Sequence, residues 1–205
     1  MVHNGPMSRE VLSLLAVVLT FAGFAPYVRS IRQGRTKPHV FSWVIWGSTT
    51  CVVFVAQLSA GGGLGAWPIG LSGLITLYIA ALAFARRADC RITRTDWWFF
   101  LSAMSALPLW YLSADPWWAV LILTSVDVVG FWPTLRKAWA HPFEENLTFF
   151  ALFAMRNVLA TAALERYSLT TVLFPAATGA ACLLLIGAVT YRRQQHRHPR
   201  TGRAP

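Results

Sequence analysis

The 205-residue chain is 56% hydrophobic and only 13% charged. Soluble domains carry about 25% charged residues, so this composition excludes an ordinary soluble globular protein. The formal net charge is +10, a balance that often indicates nucleic-acid binding. Here, however, the Lys and Arg residues fall in alternate connections between apolar segments, so no nucleic-acid partner is predicted. The composition predicts a protein that resides in the lipid bilayer.

Seven apolar segments follow one another along the chain. A membrane-spanning helix needs about 20 mostly apolar residues, and the segments meet this requirement. The predicted spans are 11–31, 41–60, 66–85, 96–113, 117–136, 147–165 and 169–190. The sequence therefore predicts an all-α integral membrane protein. Residues 1–190 form a single seven-helix domain, and residues 191–205 form a basic cytosolic tail.

The basic residues are distributed unequally between the two sides of the membrane. Fifteen Lys and Arg residues lie in connections or the tail on one side, whereas Arg9 and Arg166 lie on the other. The fifteen are Arg29, Arg32, Arg35, Lys37, Arg86, Arg87, Arg91, Arg94, Arg136, Lys137, Arg192, Arg193, Arg197, Arg200 and Arg203. Because positive residues accumulate in the cytosol, the N-terminus is predicted outside and the C-terminus inside.

The two halves of the chain resemble each other at an offset of 107 residues. Residues 23–29 and residues 130–136 both have the pattern G-F-x-P-x-x-R, and Pro68 aligns with Pro175. Such self-similarity indicates a duplicated structural unit. The sequence predicts two parallel three-helix repeats, over about 11–86 and 117–193, joined by a linker helix over about 96–113.

This plan resembles a known superfamily of transporters. Two parallel three-helix repeats around a linker helix, with Pro26 and Pro133 each followed by a basic loop, are similar to the PQ-loop and SWEET proteins, in a bacterial branch. Tyr27 and Thr134 stand where the family motif has Gln, so no sugar specificity is implied. Trp43-x-x-Trp46 and residues 67–70 are similar to short segments of bacterial nicotinamide riboside transporters. The resemblance implies solute transport, and we expect the bacterial inner membrane as the location.

The repeated Gly and Pro residues are candidate hinges. A proline inside a helix removes one backbone hydrogen bond and kinks the axis. Gly23 and Pro26 align with Gly130 and Pro133, which predicts matching hinges at equal depth in two repeats that rock against each other. The alternative is that these residues only permit close helix packing, as small residues do in membranes.

Two ionisable residues lie near the middle of predicted spans. Asp127 and Arg156 are costly in a bilayer and usually face a cavity or a partner, and Asn157 follows Arg156 directly. We expect these three residues to bind the solute. The alternative is a structural ion pair between Asp127 and Arg156 that holds two helices together. The offset aligns Asp127 with Thr20 and Arg156 with Thr49, so the charges belong to one repeat only.

Aromatic residues recur at helical spacing in both repeats, each time with a polar residue one turn further along. Spacing of i, i+3 and i+7 puts three residues on one helical face. The two sets are Trp43, Trp46 and Thr50, and Phe150, Phe153 and Asn157. They could sandwich a ring-bearing or sugar-like solute, although packing aromatics are the alternative. Gln57 and Tyr78 are lesser candidates.

No catalytic, cofactor or metal site is predicted. The five histidines lie in predicted loops or termini, and the three cysteines show no metal-ligand spacing. The glycines over 61–65 lack the Lys-Ser/Thr ending of a phosphate loop and are expected to form a flexible outer turn. We expect a non-enzymatic transporter of a small polar or amphipathic solute. A membrane scaffold or receptor with the same fold is the alternative, and whether the chain is a homo-oligomer is open.

Cysteine labelling tests the predicted topology. With Cys51 and Cys182 replaced, Cys90 should be protected from a membrane-impermeant maleimide in intact cells, because the 88–91 connection is predicted inside. Single cysteines introduced at 34–37 or 195–200 should also be protected, whereas those at 61–65 or 115 should react. Labelling of Cys90 from outside would contradict both the orientation and the parallel repeats.

Overall fold

The chain folds into helices joined by short connections. The computed structural model describes residues 8–35, 38, 40–86, 94–140, 142–143 and 147–197, and these residues contain no strand. The helices are α1 (Arg9–Arg32), α2 (Val40–Ser59), α3 (Trp67–Ala85), α4 (Arg94–Ser113), α5 (Pro116–Gly130), α6 (Trp132–Ala140), α7 (Leu147–Ala162) and α8 (Leu169–Arg197). A 3-10 turn over Gly63–Ala66 precedes α3. The all-helical class is confirmed for this part of the chain.

Among the described residues, four helical segments are long and apolar enough to cross a membrane. They are Arg9–Arg32, Val40–Ser59, Gly63–Ala85 and Leu169–His196. Helices α5 and α7 are apolar but contain 15 and 16 residues, fewer than the about 20 that a perpendicular span needs. Large apolar side chains point outward along the bundle, with Leu14 62%, Leu74 61% and Leu184 70% exposed. This apolar outer surface indicates a membrane-embedded protein.

The predicted fifth span, 117–136, is divided in the structure. Helix α5 ends at Gly130 and α6 begins at Trp132. Proline has no backbone N–H, so Pro133 cannot donate to the carbonyl of Val129, and the last bonds before the break run from the Phe131 N–H. Pro26, in contrast, lies inside the continuous helix α1. The two aligned prolines therefore occur in different local structures.

The predicted last span, 169–190, is too short. Helix α8 continues through Arg197, so the first part of the predicted tail, residues 191–197, is helical. Arg192 Nε donates to the carbonyl of Trp139 at 3.2 Å, and Arg193 Nε donates to that of Pro142 at 2.9 Å. These contacts attach the basic end of α8 to the last turn of α6 and to the chain that follows it. Lys37, Arg87, Arg91, Arg200 and Arg203 lie outside the described residues.

Local sequence signals fix several helix ends. The Asp115 carboxylate accepts a 2.9 Å hydrogen bond from the N–H of Trp117, and Pro116 occupies the first turn of α5. An N-cap acid followed by proline is a strong start signal for a helix. Ala114 has a φ of 53°, a conformation that costs a non-glycine residue energy, and it reverses the chain between α4 and α5.

The helices pack in two similar sets with contacts between the sets. Helix α2 packs along α3, and α7 packs along α8. Helix α1 contacts α3 and also α7, whereas α5 contacts α8 and also α2. Helix α4 lies against α5 with a smaller contact to α2. Both α1 and α5 therefore connect one set of helices to the other.

Glycines permit the closest helix contact in the bundle, that between α2 and α3. A Cβ atom on Gly47 would lie 2.7 Å from the Leu77 side chain, and one on Gly73 would lie 2.7 Å from Cys51 Sγ. Apolar helices in lipid gain little from hydrophobic burial, so their association depends on such close van der Waals contact. The two helices can approach this closely only because neither glycine carries a side chain.

The glycine-rich connection, residues 61–65, packs against the connection that follows α7. The N–H of Glu165 donates to the carbonyl of Gly62 at 3.2 Å, and the N–H of Leu64 donates to Glu165 Oε1 at 3.1 Å. Gly63 has a φ of +56°, which favours glycine. The expected flexible turn is instead an ordered contact that closes one end of the bundle, because its glycines let two backbones meet.

Substitution of Gly65 tests this contact. A Cβ atom there would lie 2.5 Å from the Leu164 backbone nitrogen and 2.6 Å from the Ala160 carbonyl oxygen. Because backbone atoms cannot move aside easily, Gly65→Ala should destabilise the protein by about 1–3 kcal/mol. The matched control is Gly187→Ala, which meets no atom within 4 Å and should stabilise α8 by about 0.5–1 kcal/mol. Thermal unfolding in detergent measures the stability of both variants. Equal changes in stability would contradict the close packing at Gly65.

Candidate functional site

Most hydroxyl groups inside the bundle are satisfied by their own helix. Thr20 donates to the carbonyl of Ala16 at 2.8 Å, and Thr76 donates to that of Ser72 at 2.8 Å. A hydroxyl that bonds four residues back needs no partner on another helix. Larger polar side chains do not have this option, so they identify the candidate site: Gln57, Asp127, Arg156 and Asn157.

Asp127 lies on α5 and faces α2. Its Oδ1 atom is 3.4 Å from the hydroxyl of Thr49, which donates more closely to the carbonyl of Trp46, at 3.0 Å. One hydroxyl proton cannot fully satisfy both acceptors, so the bond to the carboxylate is weak. Asp127, which is partly buried, therefore has a neutral and weakly bound partner.

Arg156 lies on α7 and is 3% exposed. Its Nη2 donates to Asn157 Oδ1 at 2.8 Å, and its Nη1 is 3.5 Å from the carbonyl oxygen of Pro68 at the start of α3. The guanidinium carbon lies 4.9 Å from the centre of the Phe153 ring, close enough for a cation–π contact. Every one of these partners is neutral.

The structure does not join the two central charges in an ion pair. Asp127 contacts Thr49 of α2, whereas Arg156 contacts Pro68 of α3 and its neighbour Asn157. Arg156 lies in the middle of α7, as the sequence indicates, whereas Asp127 lies in the last turn of α5, because that helix ends at Gly130 and not at the end of the predicted span. The helices also present the two residues to different neighbours. The structural ion pair that the sequence left open is absent from this arrangement.

Several buried polar atoms near these residues have no hydrogen-bond partner among the described residues. They are Gln57 Oε1, Thr124 Oγ1, Arg156 Nε and Asn157 Nδ2. Gln57 is fully buried, and its Nε2 atom donates to the carbonyl of Thr171 at 2.7 Å. Buried polar atoms are almost always paired, so each of these atoms is a position that can take a further hydrogen bond, and the two on α7 belong to neighbouring residues.

Of the two further residues with unpaired atoms, Gln57 and Thr124, the sequence indicated only the first. Gln57 stands out as an amide in an apolar span, whereas Thr124 resembles many other threonines and carries no distinguishing signal. Tyr78, the other lesser candidate, is 44% exposed and its hydroxyl accepts a hydrogen bond from Arg32. It therefore lies away from the buried polar groups.

In the first repeat, the predicted aromatic residues mainly contact other rings. Trp43 stacks on Tyr27 with a centroid distance of 5.0 Å, and its edge meets Trp46 at 5.9 Å. Thr50 is buried at 7% exposure. These contacts favour packing over an open surface for stacking a solute.

In the second repeat, the aromatic residues are also occupied. Phe153 meets the edge of Phe24 at 5.0 Å, and Phe150 meets the edge of Phe131 at 6.0 Å. Phe150 belongs to a buried cluster with α6 and α8, while Phe153 packs near α1 and α3. The two aromatic sets do not form the predicted sandwich in this conformation, because each ring already packs against the protein.

The candidate hinge glycines differ in how closely they are packed. A Cβ atom on Gly23 would lie 2.6 Å from Phe153 Cε2, whereas one on Gly130 would lie 3.5 Å from Trp46 Nε1. Gly23 is therefore required for packing of α1 on α7. Gly130 ends α5 immediately before the break, next to Pro133, whose side chain lies outside the described part of the structure.

Within the described residues, no group of three or more His, Cys, Asp or Glu side chains could hold a metal ion. No protein-family model matches the chain. No curated protein and no solved structure shows a significant match to it.

Double-mutant cycles test the separation of the two charges. Asp127→Asn combined with Arg156→Gln should be additive within about 0.5 kcal/mol, since the side chains have no shared partner. Asp127→Asn combined with Thr49→Val should show coupling of about 0.5–1 kcal/mol, because that pair is in contact. Thr49→Ser, which keeps the hydroxyl, is the control.

The free energies of unfolding in detergent give both coupling values. A larger coupling for the Asp127 and Arg156 cycle than for the Asp127 and Thr49 cycle would show that the charges are partners and would contradict the structure.

Proposed function

We propose that the protein is a transporter of a small polar or amphipathic solute, working by alternating access between two three-helix repeats. The first repeat comprises α1, α2 and α3, and the second comprises α5 with α6, α7 and α8. Helix α4 is the linker. Parallel repeats that enclose a central site and move against each other are a common plan among membrane transporters.

The pattern of helix contacts supports this division. In each proposed repeat the second helix packs along the third, and the first contacts the third. The first helix of each repeat also contacts the second helix of the other, as α1 does with α7 and α5 does with α2. Two copies of one unit related by a rotation axis would have these reciprocal contacts.

One reciprocal contact carries the proposal. The offset of 107 residues that aligns Gly23 with Gly130 also aligns Trp46 with Phe153. In the structure, Gly23 of α1 faces Phe153 of α7, and Gly130 of α5 faces Trp46 of α2. Equivalent residues thus meet at these two contacts between the repeats. This agreement between the sequence offset and the contacts supports a symmetric arrangement of the two halves.

The chemistry at the boundary between the repeats favours transport over a passive scaffold. Asp127 of α5 and Thr49 of α2 meet across it, and Arg156 is the second-repeat counterpart of Thr49. Charged groups within membrane helices are costly and are usually functional. A scaffold would gain little from them.

The glycine-rich connection supports a closed state at one end. Its contacts with the chain after α7 join the first repeat to the second through two hydrogen bonds, one between backbone groups and one from the backbone N–H of Leu64 to the Glu165 side chain. Few bonds would need to break for this end to open. In the proposed orientation, which follows the positive residues, this end faces outside and the helix end at Arg197 faces the cytosol of a bacterial cell.

A disulfide across this contact tests alternating access. A Cβ atom on Gly61 would lie 3.5 Å from Arg166 Cβ, within the range for a disulfide of about 3.5–4.5 Å. The variant Gly61→Cys with Arg166→Cys, in a chain with Cys51, Cys90 and Cys182 replaced by Ala, should lose uptake on oxidation and regain it with a reductant. Opening of that end would be prevented while the crosslink is present.

The uptake assay uses proteoliposomes and a compound found by thermal-shift screening of sugars, nucleosides and vitamins, since a ligand of the folded state raises stability. The two single-cysteine variants, treated in the same way, control for the change at Gly61, whose φ is +80°. Undiminished uptake by the crosslinked protein would contradict alternating access through this end. Binding without uptake in any variant would favour a receptor.

A further inference from the structure

Arg156 is a buried cation that has no acidic hydrogen-bond partner within the described part of the chain. Its hydrogen-bond acceptors are the carbonyl of Pro68 and the side-chain oxygen of Asn157, and its aromatic neighbour is Phe153. Asp127, the partner that the sequence left open, is weakly bound to Thr49 instead. A charge that is removed from water is stabilised by an opposite charge or by a full set of hydrogen bonds, and Arg156 has neither.

Two adjacent hydrogen-bond donors also lack acceptors. Arg156 Nε and Asn157 Nδ2 are both buried without a partner. The orientation of the Asn157 amide follows from its contact with Arg156, since only its oxygen can accept from a guanidinium. Its nitrogen is therefore available as a donor. Two unpaired donors and one positive charge are complementary to an anionic acceptor.

Asn157 also lines a groove between α7 and α8. The groove has a volume of about 420 Å³, and its walls are formed mainly by small and apolar residues such as Ala154, Pro175 and Gly179. It opens between Val158 and Leu183, each 59% exposed. This volume lies within the usual range for small-molecule sites, about 300–1,000 Å³. Gly179 keeps the groove open beside Asn157, because a Cβ there would lie 3.2 Å from Asn157 Cβ.

We propose that Arg156 and Asn157 bind the carboxylate of a small amphipathic anion whose apolar part occupies the groove between α7 and α8. This inference rests on the proposed transport function and specifies its solute class. Asn157 Nδ2 donates to the carboxylate from the groove wall, and the Arg156 guanidinium behind it supplies the opposite charge. Arg156 does not itself line the groove, and both of its Nη atoms already have acceptors, so its positive charge favours the carboxylate from behind Asn157.

Matched acids and amides test the assignment in purified protein. Benzoate and hexanoate should raise the melting temperature and bind about tenfold more tightly than benzamide and hexanamide, as expected for a charge-assisted contact. The preference should disappear in Arg156→Gln and persist in part in Arg156→Lys. Arg9→Gln removes the same charge from an exposed position and should change nothing.

The groove is tested separately. Gly179→Leu should weaken benzoate binding about tenfold or more by filling the space beside Asn157, whereas Gly187→Leu, at an exposed position on the same helix, should not. Inorganic phosphate should stabilise the protein less than benzoate does. Equal stabilisation by phosphate would overturn the role of the groove.

Three results would overturn the carboxylate site. They are equal binding of acid and amide by the wild type, an acid preference that survives in Arg156→Gln, and stabilisation by phosphatidylglycerol vesicles that replaces the benzoate effect. The last would identify a lipid headgroup as the anion.

Flux distinguishes this inference from the proposed function. Acid binding that depends on Arg156 without uptake would support the site and contradict transport. Uptake of a neutral solute that is unchanged in Arg156→Gln would support transport and contradict the site.

Discussion

Every polar group in this bundle must find its partner inside the protein, because an apolar environment offers no water. The backbone meets this requirement by being helical, and residues such as Thr20 and Thr76 meet it by bonding to their own helix. Asp127 and Arg156 cannot do so. Their incomplete pairing is unfavourable for stability, and this cost is the strongest physical reason for assigning them a role in binding.

The same environment determines how the helices associate. Without a strong hydrophobic drive between apolar helices, contact depends on how closely their surfaces approach. Gly47 and Gly73 bring α2 against α3 within one set of helices. The contacts within each set therefore differ in kind from those at the glycine-rich connection, where hydrogen bonds of Glu165 join the two sets. Movement of one set against the other would break the hydrogen bonds of Glu165 and preserve the close contacts within each set.

The helical class and most helix positions follow from apolar segment length, and these could be predicted. The break at Phe131 could not be predicted from Pro133 alone, because Pro26, in the same sequence motif, lacks the same backbone donor and yet lies inside a continuous helix. The partners of Asp127 and Arg156 could not be predicted, because depth along a span does not give the rotation of a helix about its axis. That rotation turns Asp127 toward Thr49 and Arg156 toward Pro68.

The two halves are alike in packing and unlike in chemistry. The offset of 107 residues aligns Asp127 with Thr20 and Thr49 with Arg156. If the halves were alike in chemistry, the contact between Asp127 and Thr49 would therefore have a counterpart between Thr20 and Arg156. In the structure, Thr20 bonds to its own helix and Arg156 turns to neutral neighbours. In the proposed transporter, symmetric contacts would let both halves move in the same way, whereas recognition of an asymmetric solute would need different groups on each side. Asp127 and Arg156, both in the second half, are the groups that would differ.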